Sequence, residues 1–253
     1  MAIFNNREIM FSTEMNVSSE IPLNQFGDFI ERKSEVVLPN TLTKVGDYAF
    51  YNYDNLVLNS LPDSIVEIGK GAFQNSSISV ENLPRNITSL GRDCFAQCKE
   101  LRKLNFPSSL NSIGYACFSG CTNLEELIFN SDTINIGTLA FSGCIKIEDV
   151  NVKNAIIGLA IFEGCTNLKK VKISTGYMEI RAFNNCTSVK EYDFTGCNAV
   201  PPLANYANSV TGSPEGFRII VPDNLFDKWK TFSNWGAFFA LYPNVTLVKE
   251  SER

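Results

Sequence analysis

The chain has 253 residues, 44% of them hydrophobic and 19% charged, with 19 Phe and a formal net charge of −5. That is ample for a large core, and the acidic balance argues against sequence-independent nucleic-acid binding, which needs clustered Lys and Arg. There is no His, which removes the commonest general base, the commonest metal ligand and every Ser-His or Cys-His nucleophile pair.

The N-terminal stretch MAIFNNREIMFSTEMNVSSE is mixed polar with acidic residues and does not read as a secretory signal peptide. No apolar run approaches the roughly 18–20 residues that span a bilayer, so no membrane insertion is expected. Leu23, Phe26 and Ile30 fall on one helical face. Residues 1–35 are read as an N-terminal arm and cap, with residues 1–18 the arm.

From residue 36 the chain repeats itself. Phe50, Phe73, Phe95, Phe118, Phe141, Phe162 and Phe183 recur at intervals of 21–23 residues. Four residues before each stands Gly46, Gly69, Gly91, Gly114, Gly137 and Gly158, with Glu179 breaking the series. Three residues after each come Tyr53 and Ser76, then Cys98, Cys121, Cys144, Cys165 and Cys186; six after come mostly Leu, Ile or Val. Pro39, Pro62, Pro84 and Pro107 share a further position in the first half. One such unit cannot bury its own apolar side, whereas stacked units give each Phe and Leu neighbours above and below. Residues 36–196 are therefore predicted to form a repeat solenoid of about seven coils. Each coil carries short parallel strands such as Lys103-Leu104-Asn105-Phe106, ended by Pro107. The recurring Gly fits a corner that needs positive φ or close backbone approach.

The two Cys-Phe-x-x-Cys stretches, Cys94/Cys98 and Cys117/Cys121, raise the question of a four-thiolate zinc site. The repeat separates them. Cys98 and Cys121 belong to the column of one thiol per coil, and Cys94 and Cys117 occupy a position that is Ala49, Ala72, Ala140 and Ala182 elsewhere. A site interchangeable with Ala is a small buried packing position, and a straight ladder does not converge tetrahedrally on a metal. No metal is expected, and the eight Cys are expected buried and reduced. Coils about 4.8 Å apart still leave adjacent thiols within disulfide reach.

Positions eight and ten residues past each Phe are the expected outward strand positions, shifted by about one in the coil of Phe73, which has a one-residue deletion around Ser76-Ser77-Ile78. The candidate partner-binding strip is Leu58, Val80, Lys103, Asn105, Glu126, Ile128, Asp149, Asn151, Lys170, Lys172, Glu191 and Asp193. Across neighbouring coils Lys103 should face Glu126, Asp149 should face Lys170, and Lys172 should face Asp193. Either this is a charge ladder for solubility, each pair contributing about 0.2–1 kcal/mol, or it is a mixed-charge recognition surface.

Beyond Cys197, residues 197–253 are read as a C-terminal αβ cap. A Pro/Gly/Asn-rich connection (198–216) leads to a strand, FRIIV, over 217–221. Asp223 is the expected helix N-cap, with Leu225, Trp229 and Phe232 on one face. Apolar WGAFFALY ends at Pro243, and VTLV (245–248) reads as a last strand.

The unit I-G-x-x-A-F-x-x-C-x-x-L resembles the BspA-type (Treponema-type) leucine-rich repeat over about residues 36–196. The resemblance implies a right-handed leucine-rich-repeat solenoid used for adhesion or recognition of protein or glycan partners. The C-terminal segment is similar to caps of gut-bacterial and phage members, which makes a structural part of a bacteriophage virion or tail the alternative. A surface-exposed or virion location reached without a signal peptide is expected, and a cytoplasmic one otherwise. Enzymatic activity is not expected: the carboxylates lie on a surface strip rather than in an evident pocket, no phosphate-binding loop is present, and no cofactor is implied.

Overall fold

The computed structural model describes residues 3–5, 8–10, 20–21, 34–131, 133–178, 181–203, 216–232 and 234–253. The helical face expected at Leu23, Phe26 and Ile30 lies outside the described residues.

Most early coils make two short strands, and like strands of neighbouring coils pair in parallel; the coil of Phe73 has only an isolated bridge, Asn82 to Asn105, on its front side. A side ribbon runs through Lys44–Val45, Glu67–Ile68, Ser89–Leu90, Ser112–Ile113 and Ile134–Ile136. A front ribbon includes Lys103–Phe106 paired with Glu126–Phe129. Further on, Asp149–Ile157, Lys170–Met178 and Glu191–Asp193 continue it. In the early coils the strands are separated by a corner that Pro starts: the amides of Leu42, Ile65, Ile87 and Leu110 bond back to the carbonyls of Pro39, Pro62, Pro84 and Pro107. The later coils have no Pro there and are up to two residues shorter. Their chain runs straight through the corner, so Asp149–Ile157 and Lys170–Met178 are unbroken nine-residue strands. Asp149–Ile157 pairs with Ile134–Ile136 at one end, so the later strands belong to the sheet of the side ribbon, while Lys103–Phe106 and Glu126–Phe129 form a separate two-stranded sheet.

The seven recurring phenylalanines form the spine of the core. Successive rings stack nearly parallel, with centroids 5.1–5.5 Å apart and planes within 10°. Phe106 and Phe129 stack beside it at 4.6 Å and meet Phe141 edge-on. Stacking is one of the preferred aromatic arrangements, so the repeat gains both burial and ring geometry from the same residue.

The Gly column is explained by close approach. A Cβ on Gly114 would lie 2.7 Å from the carbonyl carbon of Gly91 and 2.8 Å from the amide of Arg92. Positive φ occurs elsewhere: the residue two before each spine Phe is left-handed even where it is Asp93, Ala116, Leu139 or Ala160, at φ 49–59°. A left-handed non-Gly residue costs on the order of 1–2 kcal/mol. In return these residues donate amides to the next coil, Asp93 to Tyr115 at 2.9 Å and Ala116 to Thr138 at 2.9 Å.

The C-terminal residues continue the front ribbon. Arg218–Val221 pairs with Glu191–Asp193, and Thr246–Lys249 pairs with Arg218–Val221, all in parallel. Between them lie α1 (Phe226–Trp229) and α2 (Trp235–Leu241). Trp229 and Trp235 are buried against Phe194, and Phe238 is buried against Trp235 and Phe217, closing the last coil. Two details of the cap differ from expectation. Asp223 opens a 3-10 turn rather than capping a helix, and its carboxylate accepts the Ser251 amide at 3.0 Å. Phe232 is 44% exposed, because α1 ends at Trp229 and the chain leaves the helical face before reaching it.

Candidate recognition surface

The thiols have a structural task. The sulfhydryls of Cys98, Cys121, Cys144, Cys165 and Cys186 donate to the carbonyls of Phe73, Phe95, Phe118, Phe141 and Phe162, one coil back, at 2.9–3.2 Å. Each of these carbonyls also accepts the backbone amide three residues on, at 3.1–3.2 Å, so the thiol is a small second donor to an already paired carbonyl. Burial pushes the Cys98 and Cys186 thiols up to about 12, and those of Cys121, Cys144 and Cys165 well above the ordinary range. They carry no thiolate at neutral pH and so are not nucleophiles. Among the described residues no group of three or more His, Cys, Asp or Glu is placed to hold a metal ion.

The front ribbon presents the candidate strip. Lys103 and Glu126 are register partners, with Nζ 2.9 Å from the carboxylate. Asp149 and Lys170 are likewise register partners. Lys172 reaches Asp193 at 3.3 Å. Asn105, Asn151, Lys170 and Lys172 lie outward on the same strands, Asn105 also accepting a place in a side-chain ladder by donating to Asn82 at 2.7 Å. Ile128 is half-buried.

Three members of the strip are placed differently from expectation. Leu58 and Val80 are core residues, 2% and 1% exposed. Each strand of a coil contains one step with two consecutive outward residues, and its position shifts along the array. In the coil of Phe95 it falls at Arg102-Lys103, before Leu104; in the coil of Phe50 it falls at Asn59-Ser60, after Leu58. The offset of eight therefore turns Leu58 the wrong way; in the coil of Phe73 it falls on exposed Glu81, and the one-residue shift applied there for the shorter coil lands on buried Val80. Asp193 is the third: its side chain is 5% exposed. It accepts from the amide and hydroxyl of Thr195, from Lys172, and from Arg253 at 2.8 Å, while Arg253 also grips Glu191 at 2.6 Å. This end of the strip is thus covered by the chain's own C-terminal turn.

The same two-residue step creates a second row that the fixed offset misses. Arg102 and Glu125 approach to 4.0 Å, Lys146 reaches Glu125 at 3.6 Å, and Glu148 meets Lys169 at 2.7 Å. Within each coil the two rows carry the same sign, so the surface is banded: Arg102-Lys103 positive, Glu125-Glu126 and Glu148-Asp149 negative, Lys169-Lys170 positive. The ion pairs across the band edges are exposed and contribute about 0.2–1 kcal/mol each to stability.

Asp193 carries a pH dependence. Burial opposes its ionisation, but hydrogen bonds from Thr195 and the charge of Lys172 outweigh it and hold the carboxyl below the usual aspartate range. A depressed folded-state pKa means the stabilisation is full above the unfolded value, near 4, and is lost as pH falls below it. Asp193→Asn is expected to cost about 1–3 kcal/mol at neutral pH and to flatten the loss of stability between about pH 4 and 2. Urea denaturation at several pH values checks both.

The profile of the BspA type leucine-rich repeat region matches six copies, over residues 19–148 and 88–209. The chain belongs to the BspA-type leucine-rich-repeat family. Repeats of this type are implicated in protein–protein interaction or adhesion, and leucine-rich-repeat folds are generally non-catalytic binding modules. Similar solved structures include a Treponema pallidum leucine-rich-repeat protein at 24% identity, covering 51% of this chain and 71% of that one with a TM-score of 0.38. A Faecalibacterium prausnitzii leucine-rich cell surface protein is 17% identical over 98% of this chain and 89% of its own, TM-score 0.35. A Bacteroides ovatus leucine-rich-repeat protein is 18% identical over 85% and 74%, TM-score 0.33. No functionally curated protein matches the chain. No helix among the described residues is long and apolar enough to cross a membrane.

Proposed function

We propose that this BspA-type solenoid is a non-catalytic recognition module that binds a protein partner through the banded charge field of its front ribbon. The observation that carries this reading is the register: Lys103 is paired with Glu126 and Asp149 with Lys170, on four successive coils, held by a stack whose own stability comes from the spine. Opposite charges at fixed coil spacing are readable by a surface with the complementary order, which favours selectivity and fast encounter more than raw affinity. A glycan offers fewer fixed charges to match, and is the alternative that the test separates.

The informative variant is the exchange Lys103→Glu with Glu126→Lys. It keeps an ion pair between the same strands but inverts the field that a partner meets. Screened against a panel of folded extracellular proteins and a glycan panel, the native chain is expected to bind a protein whose affinity falls roughly tenfold or more, about 1.4 kcal/mol, in the exchanged chain. The unfolding midpoint should not move. Asp63→Ala with Arg85→Ala, which removes an exposed pair at the Pro corner, should leave binding intact. Equal binding by the exchanged chain would remove the strip from the reading, and binding confined to glycans would replace the partner class.

A further inference from the structure

We infer that Cys94 and Cys117 form an oxidisable pair, a single latent cross-link between two central coils. Their sulfur atoms are 3.3 Å apart, and both side chains are fully buried. They differ from the other repeat thiols in what they contact. Cys98, Cys121, Cys144, Cys165 and Cys186 donate to spine carbonyls, whereas Cys94 and Cys117 contact each other. Packing does not demand sulfur at this position, since Ala72, Ala140 and Ala182 fill it at 0% exposure in other coils. Cys occurs there twice, in adjacent coils.

The backbone is set for a bridge. The adjoining rings of Phe95 and Phe118 stack at 5.3 Å, and the Phe95 amide donates to the Cys117 carbonyl at 2.9 Å. These contacts fix the two coils at a separation inside the Cα range that disulfides span, roughly 4.4–6.8 Å. Closing the bond needs the sulfurs to approach from contact to about 2.05 Å, a movement that side-chain rotation supplies. The oxidant is a small-molecule disulfide such as oxidised glutathione. One thiolate attacks its S–S bond and releases one glutathione thiol. The second protein thiolate then displaces the other glutathione from the mixed disulfide. Two protein S–H bonds are lost and one S–S bond forms, and the two electrons and two protons end on two molecules of reduced glutathione.

Burial holds the Cys117 thiol well above the ordinary range, so the intact stack exchanges slowly and the bridge closes as the coils open or assemble. Once formed it ties adjacent coils in an array whose stability is otherwise the sum of neighbour contacts, and it closes a short loop, which constrains the unfolded chain.

The full chain is to be both incubated natively and refolded from denaturant in glutathione buffers of graded ratio, then acid-quenched, unfolded and alkylated. Of the eight thiols, two are expected to disappear together at oxidising ratios, in a peptide linking Cys94 to Cys117. The oxidised chain should unfold at a higher midpoint. Cys94→Ala, a residue the position already accepts, should fold, show no paired loss of thiols at any ratio, and unfold at a midpoint indifferent to the buffer. Eight free thiols at the most oxidising ratio in both protocols would overturn the inference. So would a bridge distributed among the ladder cysteines, or persistent paired loss in Cys94→Ala.

Discussion

Phe118→Ala is expected to destabilise the protein by about 3–5 kcal/mol, among the largest effects of any single truncation. The ring is fully buried, stacked on Phe95 and Phe141 at 5.3 Å each and met edge-on by Phe106 at 5.6 Å. Neighbouring elements are held in place, because this coil is ladder-bonded to both neighbours on the side ribbon and to the preceding coil on the front. The loss falls on two interfaces at once, the one above and the one below. In a repeat array that breaks the coupling between the two halves, so the urea transition should broaden or split as well as shift. Phe232→Ala provides the contrast: its ring is 44% exposed, and a change within about 0.5 kcal/mol is expected. A loss under 1 kcal/mol at Phe118 would mean the spine is not what holds the coils together.

Gly114→Ala is expected to cost about 3 kcal/mol or more, at the upper end of overpacking effects. The added methyl would meet backbone atoms of Gly91 and Arg92 at 2.7–2.8 Å, and backbone cannot rotate away as a side chain can. The coils must separate, which strains the ribbon pairing on either side. Gly143→Ala tests the distinction between the two kinds of glycine. Its Cβ would meet nothing nearer than 3.8 Å, but its φ is +73°, so the cost should be that of a left-handed residue, about 1–2 kcal/mol. Circular dichroism melts of the two variants rank them. Equal costs would mean that close approach does not limit the coil spacing.

Much of this architecture is legible in the sequence because a repeat makes each residue testify several times. The Phe, Cys and Gly columns each recur often enough to separate packing from chemistry, and Cys98 could be read as a core thiol because Cys121, Cys144 and Cys165 stand in the same place. What was not legible follows from the same cause. An offset of eight turns Leu58 outward because the two-residue outward step moves along the array, and shifting it by one for the shorter coil of Phe73 exchanges exposed Glu81 for buried Val80. The apolar alternation Leu56-Val57-Leu58 carried the signal: it reads in-out-in, with Leu58 as the second inward residue. Asp193 was read as surface because the residue covering it, Arg253, lies 60 positions away. The left-handed turn residues give no compositional hint, since Ala116 and Leu139 are not residues that favour such φ; their amides bond to the carbonyls of Thr138 and Leu159 in the next coil. The Arg102–Glu125 row escaped for the same reason as Leu58.

Lysine footprinting on the complex with a captured protein partner tests the recognition strip most directly. The chain alone and the complex are labelled briefly with an amine-reactive ester, and modification is read at each Lys by peptide mass spectrometry. Protection is predicted at Lys103, Lys170 and Lys172 on the front ribbon, with Lys70 beside Tyr48 and Lys228 on α1 labelled as in the free chain. Protection at Lys70 or Lys228 with the front-ribbon lysines fully labelled would contradict the assignment and move the binding surface to the turn side or the cap.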